Sequence, residues 1–264
     1  SKRRQCMGDK DILNKEYRDD DPDVWEHVYK TAYKNKIIGK EFNIVNPKEI
    51  NGRYVASKKD DDNITISGET DKLYIVGKKT KYKYYSEILD TIEDTECRQN
   101  CMELLDYCCN MTGKIGNFSL MQTTGSLQTI KGTFTVTDRI DTFIYVLNNY
   151  YLGIDEMVLS RCTASSTVNK LKKYLDLFKD TEPKNSIYKY CREVYHISSE
   201  DLVSDLIKSG KHTICTVEEL IDYMILAVRF WTLKSYYYKE VGISKSWNLR
   251  LVMKHNYLPK TNIK

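Results

Sequence analysis

From residue 168 onward, apolar residues recur every three or four positions along successive segments, the spacing of one face of an amphipathic helix. The predicted helices are 168–178, 186–195, one that begins after Ser199 and stops at Gly210, and a long one that begins after Thr216. Thr216 and Glu219 have the spacing of a capping box, which satisfies free amides at a helix N-terminus. This half of the chain must therefore bury several helical faces against one another.

The first half has a different pattern. Between residues 42 and 77, short β-rich runs are separated by Gly and Asn, which predicts strands of a small antiparallel sheet. The run Asp60–Asn63 is expected to be a solvated loop at a hairpin tip, because it lacks the spaced ligands of a calcium loop. Helices are predicted over 86–111 and 138–151. The fold class is α+β, mostly helical with a small antiparallel sheet in the N-terminal half.

The chain of 264 residues is predicted to form one domain. The charged first 20 residues show little periodicity and are expected to form an N-terminal arm, 1–20. The single α+β domain is assigned to 21–242, since no low-complexity linker or repeat interrupts it. The remainder, 243–264, is a basic C-terminal tail.

Composition narrows the classes of function. The net charge is only +4, from 41 basic and 37 acidic residues, so nucleic acid is a disfavoured partner. No stretch approaches the roughly 20 apolar residues of a membrane span. The basic start has no apolar segment behind it, so no signal peptide is expected. Eight cysteines in such a chain are expected to stay reduced, which indicates the cytoplasm, or the host cytoplasm for a phage-encoded protein.

The sequence contains no common catalytic signature: no phosphate-binding loop, dinucleotide fingerprint, zinc-protease motif or nucleophile elbow. The four histidines have no metal-like spacing. Cys97 and Cys101 share a helix face, but a second cysteine pair is missing, so we interpret them as small core residues. No catalytic residue, metal or cofactor is predicted. An enzyme with dispersed catalytic residues stays an open alternative.

The segment 113–151 carries a resemblance. It contains Ile115-Gly116-Asn117-Phe118, then Gly132, then Asp138 and Asp141, and it closes on Tyr150-Tyr151. This resembles a motif of uncharacterised bacterial and phage proteins, in which an I-G-N-F strand precedes a D-x-x-D helix start and a closing Y-Y. The sequence departs from that motif at Gln122, Gln128 and Lys131. In size and character the chain is similar to phage anti-defence proteins that trap cyclic ADP-ribose isomers.

Two interpretations of this segment stay open. In the structural one, Asn117 satisfies local amides, and Asp138 and Asp141 stabilise a helix start. In the functional one, polar side chains converge at the N-terminus of the 138–151 helix, where free amides attract phosphate. The predicted ligand-binding residues are Asn117, Phe118, Gln128, Lys131 and Arg139.

These observations favour a non-enzymatic binding protein that sequesters a nucleotide-derived signal. The alternative is a nucleic-acid- or protein-binding module that uses the basic and aromatic segment 78–85 and the basic tail. A further aromatic run, 229–238, would suit a purine ring or would pack in the core. The 21 tyrosines are compatible with a homo-oligomer.

Overall fold

The computed structural model describes residues 25–44, 55–69, 81–111, 113–122, 139–154 and 165–243. The expected arm 1–20, nearly all of the expected tail 243–264, and the predicted site residues Gln128 and Lys131 lie outside these ranges.

Helices dominate the described residues. A π-helical segment, Trp25–Ala32, comes first, and a 3-10 turn, Ile115–Asn117, lies near the middle. The α-helices are α1 (Ile37–Glu41), α2 (Lys81–Leu89), α3 (Thr95–Asn110), α4 (Ile140–Tyr151), α5 (Ser165–Asp176), α6 (Pro183–Val194), α7 (Glu200–Ser209) and α8 (Val217–Glu240). Within the described part of the chain, no helix is both long enough and apolar enough to span a bilayer.

Four antiparallel strands form a sheet of order β1-β2-β3-β4, which confirms the predicted α+β class. The strands are β1 (Phe42–Ile44), β2 (Val55–Lys58), β3 (Asp61–Glu69) and β4 (Ser119–Gln122). On β3, Ile64 and Ile66 are fully buried and alternate with a half-buried Thr65, as a strand with one core face requires. The sheet packs against α5 and α6 through β3 and β4.

The long helix α8 lies at the centre of the helical layer. It packs against α2, α3, α7 and the 3-10 turn, while α4 packs against α6 and α7. Its N-terminus has the predicted capping box: Glu219 N–H donates to Thr216 Oγ1 at 3.2 Å, and Glu219 Oε2 accepts from Thr216 N–H at 3.0 Å. Ser199 caps α7 as predicted, accepting from Leu202 N–H.

Three sequence-based expectations about local structure were wrong. The expected helix 86–111 is two helices, because the Asp94 side chain accepts from Cys97 N–H and starts a new helix there. The expected loop at 60–63 is shorter, since β3 already begins at Asp61. The expected I-G-N-F strand is a 3-10 turn, and the strand begins only at Ser119.

Helices α4 and α7 approach so closely that Gly210 has no room for a side chain. A Cβ atom there would lie 2.2 Å from the carbonyl oxygen of Asp141. We expect Gly210→Ala to lower the free energy of unfolding by about 1–3 kcal/mol, because the backbone of α4 must move. Urea unfolding measures this, and Lys211→Ala, at an exposed neighbour, should stay within about 0.5 kcal/mol of wild type. If Gly210→Ala and Lys211→Ala unfold at the same urea concentration, the close contact at Gly210 is contradicted.

Candidate functional site

A cleft of about 510 Å³ lies between α7 and α8. Small-molecule sites typically measure about 300–1,000 Å³ and combine apolar lining with a few polar groups. The cleft has that composition. Its lining residues are Arg139, Asp205, Lys208, Ser209, His212, Thr213, Ile214, Glu219, Asp222, Ile225, Leu226 and Arg229.

One wall of the cleft is a stripe along α8. Asp222, Ile225, Leu226 and Arg229 follow one another at spacings of three, one and three, so they share one helix face. The capping box holds the start of this helix in place beside the cleft. Opposite it, α7 contributes Asp205, Lys208 and Ser209, and the connecting loop closes one end.

Arg139, which lines the cleft, belongs to a buried ion pair at the start of α4. Arg139 donates to Asp141 twice, from Nε to Oδ1 at 3.0 Å and from Nη2 to Oδ2 at 2.5 Å. The Arg139 side chain is 4% exposed and that of Asp141 is 0% exposed. Ser209 Oγ also donates to Asp141 Oδ2, at 2.7 Å. The pair therefore connects α4 to the end of α7.

Arg139 also holds the loop that closes the cleft. Its Nη1 donates to the carbonyl oxygen of His212 at 2.8 Å, and its Nη2 to that of Ser209 at 3.2 Å. The guanidinium lies 4.9 Å from the ring centre of Tyr223 on α8. Burial is the largest single effect and lowers the pKa of Arg139, but the charge and hydrogen bonds of Asp141, together with the nearby Tyr223 and Tyr85, raise it above its usual value. Arg139 thus stays charged and joins α4, α7, the loop and α8.

Two carboxylates of the cleft, Asp205 and Glu219, are held ionised. The hydrogen bond from Arg229 lowers the pKa of Asp205, and Lys208 adds to that effect. The backbone amides of Cys215 and Thr216 lower the pKa of Glu219. A general acid needs a pKa near the working pH. These two groups are therefore better suited to charge complementarity than to proton transfer.

The predicted site residues do not all lie at this cleft. Arg139 does, and it is the residue before α4. Asn117 is 1% exposed and its Oδ1 accepts from Trp231 Nε1 at 3.0 Å, and Phe118 is also 1% exposed. Trp231 lies eight residues beyond Tyr223 on α8, about 12 Å along the helix from the residue that Arg139 contacts. Asn117 and Phe118 therefore contact a different part of α8.

The aromatic run on α8 is mostly core. Phe230, Trp231 and Tyr238 are at most 2% exposed, whereas Tyr236 is 51% exposed and Arg229 faces the cleft. A ligand in the cleft thus meets the aliphatic residues Ile225 and Leu226 rather than these rings. The cleft residues on α8 were not identified as a site from the sequence. The pattern that could have indicated them is the apolar pair Ile225 and Leu226, with Asp222 before it and Arg229 after it on the same helix face.

The described part of the basic and aromatic segment 78–85 is also used for packing. Tyr85 is 1% exposed, Tyr82 donates to Asp106 at 2.8 Å, and Tyr84 donates to the carbonyl oxygen of Ile214 at 2.9 Å. A second cleft, of about 440 Å³, lies beside Tyr84 and includes Glu87 and Glu218. These carboxylates disfavour a phosphate backbone at that surface.

Cys101 is buried on α3, and burial raises the pKa of its thiol to about 12, with the neighbouring Cys97 adding to the effect. Such a thiol is a poor nucleophile. Across the residues that the structure describes, no three His, Cys, Asp or Glu side chains are grouped so as to hold a metal ion.

His196 is a buried histidine outside the cleft. It follows α6 with φ of 60°, a left-handed conformation that is uncommon for residues other than glycine. Its ring stacks on Tyr237 at 4.5 Å and lies 4.5 Å from Tyr33, and neither ring nitrogen has a hydrogen-bond partner among the described residues. Burial, with the charges of Lys234 and Lys36, lowers its pKa well below 6.5.

This burial predicts a pH dependence of stability. Below pH 6.5 the unfolded chain binds a proton at His196 and the folded chain does not, so stability falls as the pH falls. The slope from this residue approaches about 1.4 kcal/mol per pH unit. Urea unfolding between pH 6.5 and pH 5 should show a shallower slope for His196→Asn, which tolerates the left-handed backbone. Identical slopes for the variant and wild type would contradict the burial of a neutral ring.

Comparison with known proteins identified no relative of this chain. No protein-family model, no curated protein and no solved structure matches the chain. Support for the candidate site therefore comes only from the residues and geometry described above.

Proposed function

We propose that this chain is a non-enzymatic binding protein that sequesters a nucleotide-derived signal, of the cyclic ADP-ribose type, in phage–bacterium conflict. The ligand binds in the cleft between α7 and α8. The observation that carries the proposal is the cleft itself, which has the volume of a small-ligand site and has both apolar and charged walls.

The cations of the cleft support an anionic ligand. The side chains of Arg229 and Lys208 are 43% and 74% exposed, so both remain open to solvent at the rim. Arginine matches the geometry of phosphate oxygens and lysine supplies a mobile positive charge. Ile225 and Leu226 offer an apolar surface to the rest of the ligand.

Sequestration rather than turnover is supported by the state of the carboxylates. Because Asp205 and Glu219 have lowered pKa values, they remain ionised at neutral pH. Sequestration requires only tight binding with slow release. We place this binding in the cytoplasm, and we propose that the exposed Tyr236 contributes to a homo-oligomer contact.

The test is thermal melting of the full chain with a panel of nucleotides and cyclic ADP-ribose isomers. A ligand at a hundredfold excess over its dissociation constant stabilises the folded state by about 2.7 kcal/mol, which raises the melting temperature by several degrees. Arg229→Gln should lose most of the shift, whereas Lys239→Gln, at an exposed site further along α8, should keep it.

Three results separate the functions. A shift with a compound that is recovered intact after denaturation supports sequestration. The same shift with a chemically altered compound indicates an enzyme with dispersed residues and contradicts the non-enzymatic role. A flat panel contradicts nucleotide binding and favours a macromolecular partner.

A further inference from the structure

The charges of the cleft are separated along α8. Asp222 and Arg229 are seven residues apart on the same face, which is two turns or about 10 Å. Ile225 and Leu226 lie between them. The α8 wall is therefore negative at one end, apolar in the middle and positive at the other end.

The positive end contains two cations that share one carboxylate. Arg229 Nη1 lies 3.0 Å from Asp205 Oδ2, and Lys208 Nζ lies 3.5 Å from Asp205 Oδ1. Among the described residues, the two side chains contact no other acceptor. Guanidinium has five N–H donors and ammonium has three, so most of these donors remain open to a ligand. Arg229, Lys208 and Asp205 together have a net charge of +1. A phosphate would balance this charge and accept hydrogen bonds from the open donors.

The negative end contains two carboxylates, of which one accepts hydrogen bonds from the backbone of the described residues and the other does not. Glu219 Oε2 accepts from the amides of Cys215 at 2.8 Å and Thr216 at 3.0 Å, so it serves the helix cap. Asp222, three residues further, is exposed, and no donor in the described part of the chain contacts its carboxylate. A carboxylate of this kind binds hydroxyl pairs, as acidic residues do with ribose hydroxyls in dinucleotide sites.

We infer that the cleft binds ribonucleotides in one orientation, with the phosphate at Lys208 and Arg229 and the ribose hydroxyls at Asp222. The base then lies over Ile225 and Leu226. This orientation depends on the proposed function, and it adds that the cleft distinguishes ribonucleotides from dideoxynucleotides and from nucleosides.

The experiment is isothermal titration calorimetry of the full chain with AMP, adenosine and 2′,3′-dideoxy-AMP. On the wild type, we expect adenosine and dideoxy-AMP each to bind at least about tenfold more weakly than AMP, since each loses a hydrogen bond to a charged group. On Asp222→Asn the difference between AMP and dideoxy-AMP should shrink. On the double variant Lys208→Gln, Arg229→Gln the difference between AMP and adenosine should shrink.

The controls are Lys239→Gln and Glu240→Gln, which change exposed charges on α8 outside the cleft. Both should retain the selectivity of the wild type. If AMP binds the wild type and the cleft variants keep the wild-type selectivity, the proposed orientation is wrong, although nucleotide binding stands. If neither AMP nor any member of the nucleotide panel binds the wild type, the orientation and the proposed function are both overturned.

Discussion

Asp141→Ala is expected to lower the free energy of unfolding by about 3–5 kcal/mol, because it leaves the charge of Arg139 buried without its partner. Asp141 is fully buried and accepts from Arg139, from Ser209 Oγ and from the amide of Thr142 at 2.9 Å. The substitution therefore breaks the connection between α4 and α7 as well as the ion pair. Urea unfolding of the variant and of wild type gives the difference.

Two further variants identify the cause of that loss. Asp176→Ala removes an exposed partner of Lys179, 2.6 Å away, and should cost less than about 1 kcal/mol. The double variant Arg139→Met, Asp141→Leu should recover stability relative to Asp141→Ala, since no unpaired charge remains. If the double variant is no more stable than Asp141→Ala, the loss comes from packing and not from the charge.

Trp231→Ala is expected to destabilise the chain by about 3–5 kcal/mol, the range for truncation of a large buried aromatic residue. Trp231 is 1% exposed, packs edge-on against Tyr107 at 6.4 Å and donates to Asn117. It therefore joins α8 to α3 and to the 3-10 turn of the I-G-N-F segment. Chemical denaturation measures the loss.

Conservative variants separate the parts of this contact. Trp231→Phe retains most of the apolar volume and leaves the Asn117 oxygen without this donor, which should cost about 1–3 kcal/mol. Tyr236→Ala, on the same helix but 51% exposed, should change stability by no more than about 0.5 kcal/mol. A Trp231→Ala variant as stable as Tyr236→Ala would contradict the buried position of Trp231.

The helices of the second half were predictable because each carries its own signals. Ser199 caps α7, the capping box starts α8, and the apolar stripes set the buried faces. The break between α2 and α3 was harder to predict, because apolar residues continue on both sides of it and only Asp94 starts the second helix. The spacing of apolar residues therefore shows which face of a helix is buried more reliably than it shows where a helix is interrupted.

The candidate site was only partly predictable for a related reason. Arg139 was chosen for its place at a helix start, and it lines the cleft, although its guanidinium contacts Asp141 and two backbone carbonyls. Lys208 and Asp222 lie on different helices, and sequence spacing does not show which helices face each other. Their approach depends on packing, including the close contact at Gly210.

The central position of α8 has a consequence for the order in which the chain is made. Tyr237 on α8 donates to the carbonyl oxygen of Ala32, 205 residues earlier, and Trp231 donates to Asn117, 114 residues earlier. During translation, the described residues that precede α8 are synthesised before the helix against which they pack. The apolar faces of α2, α3 and the 3-10 turn that pack against α8 are therefore made before their partner, and contacts across such long sequence separations are slow to form.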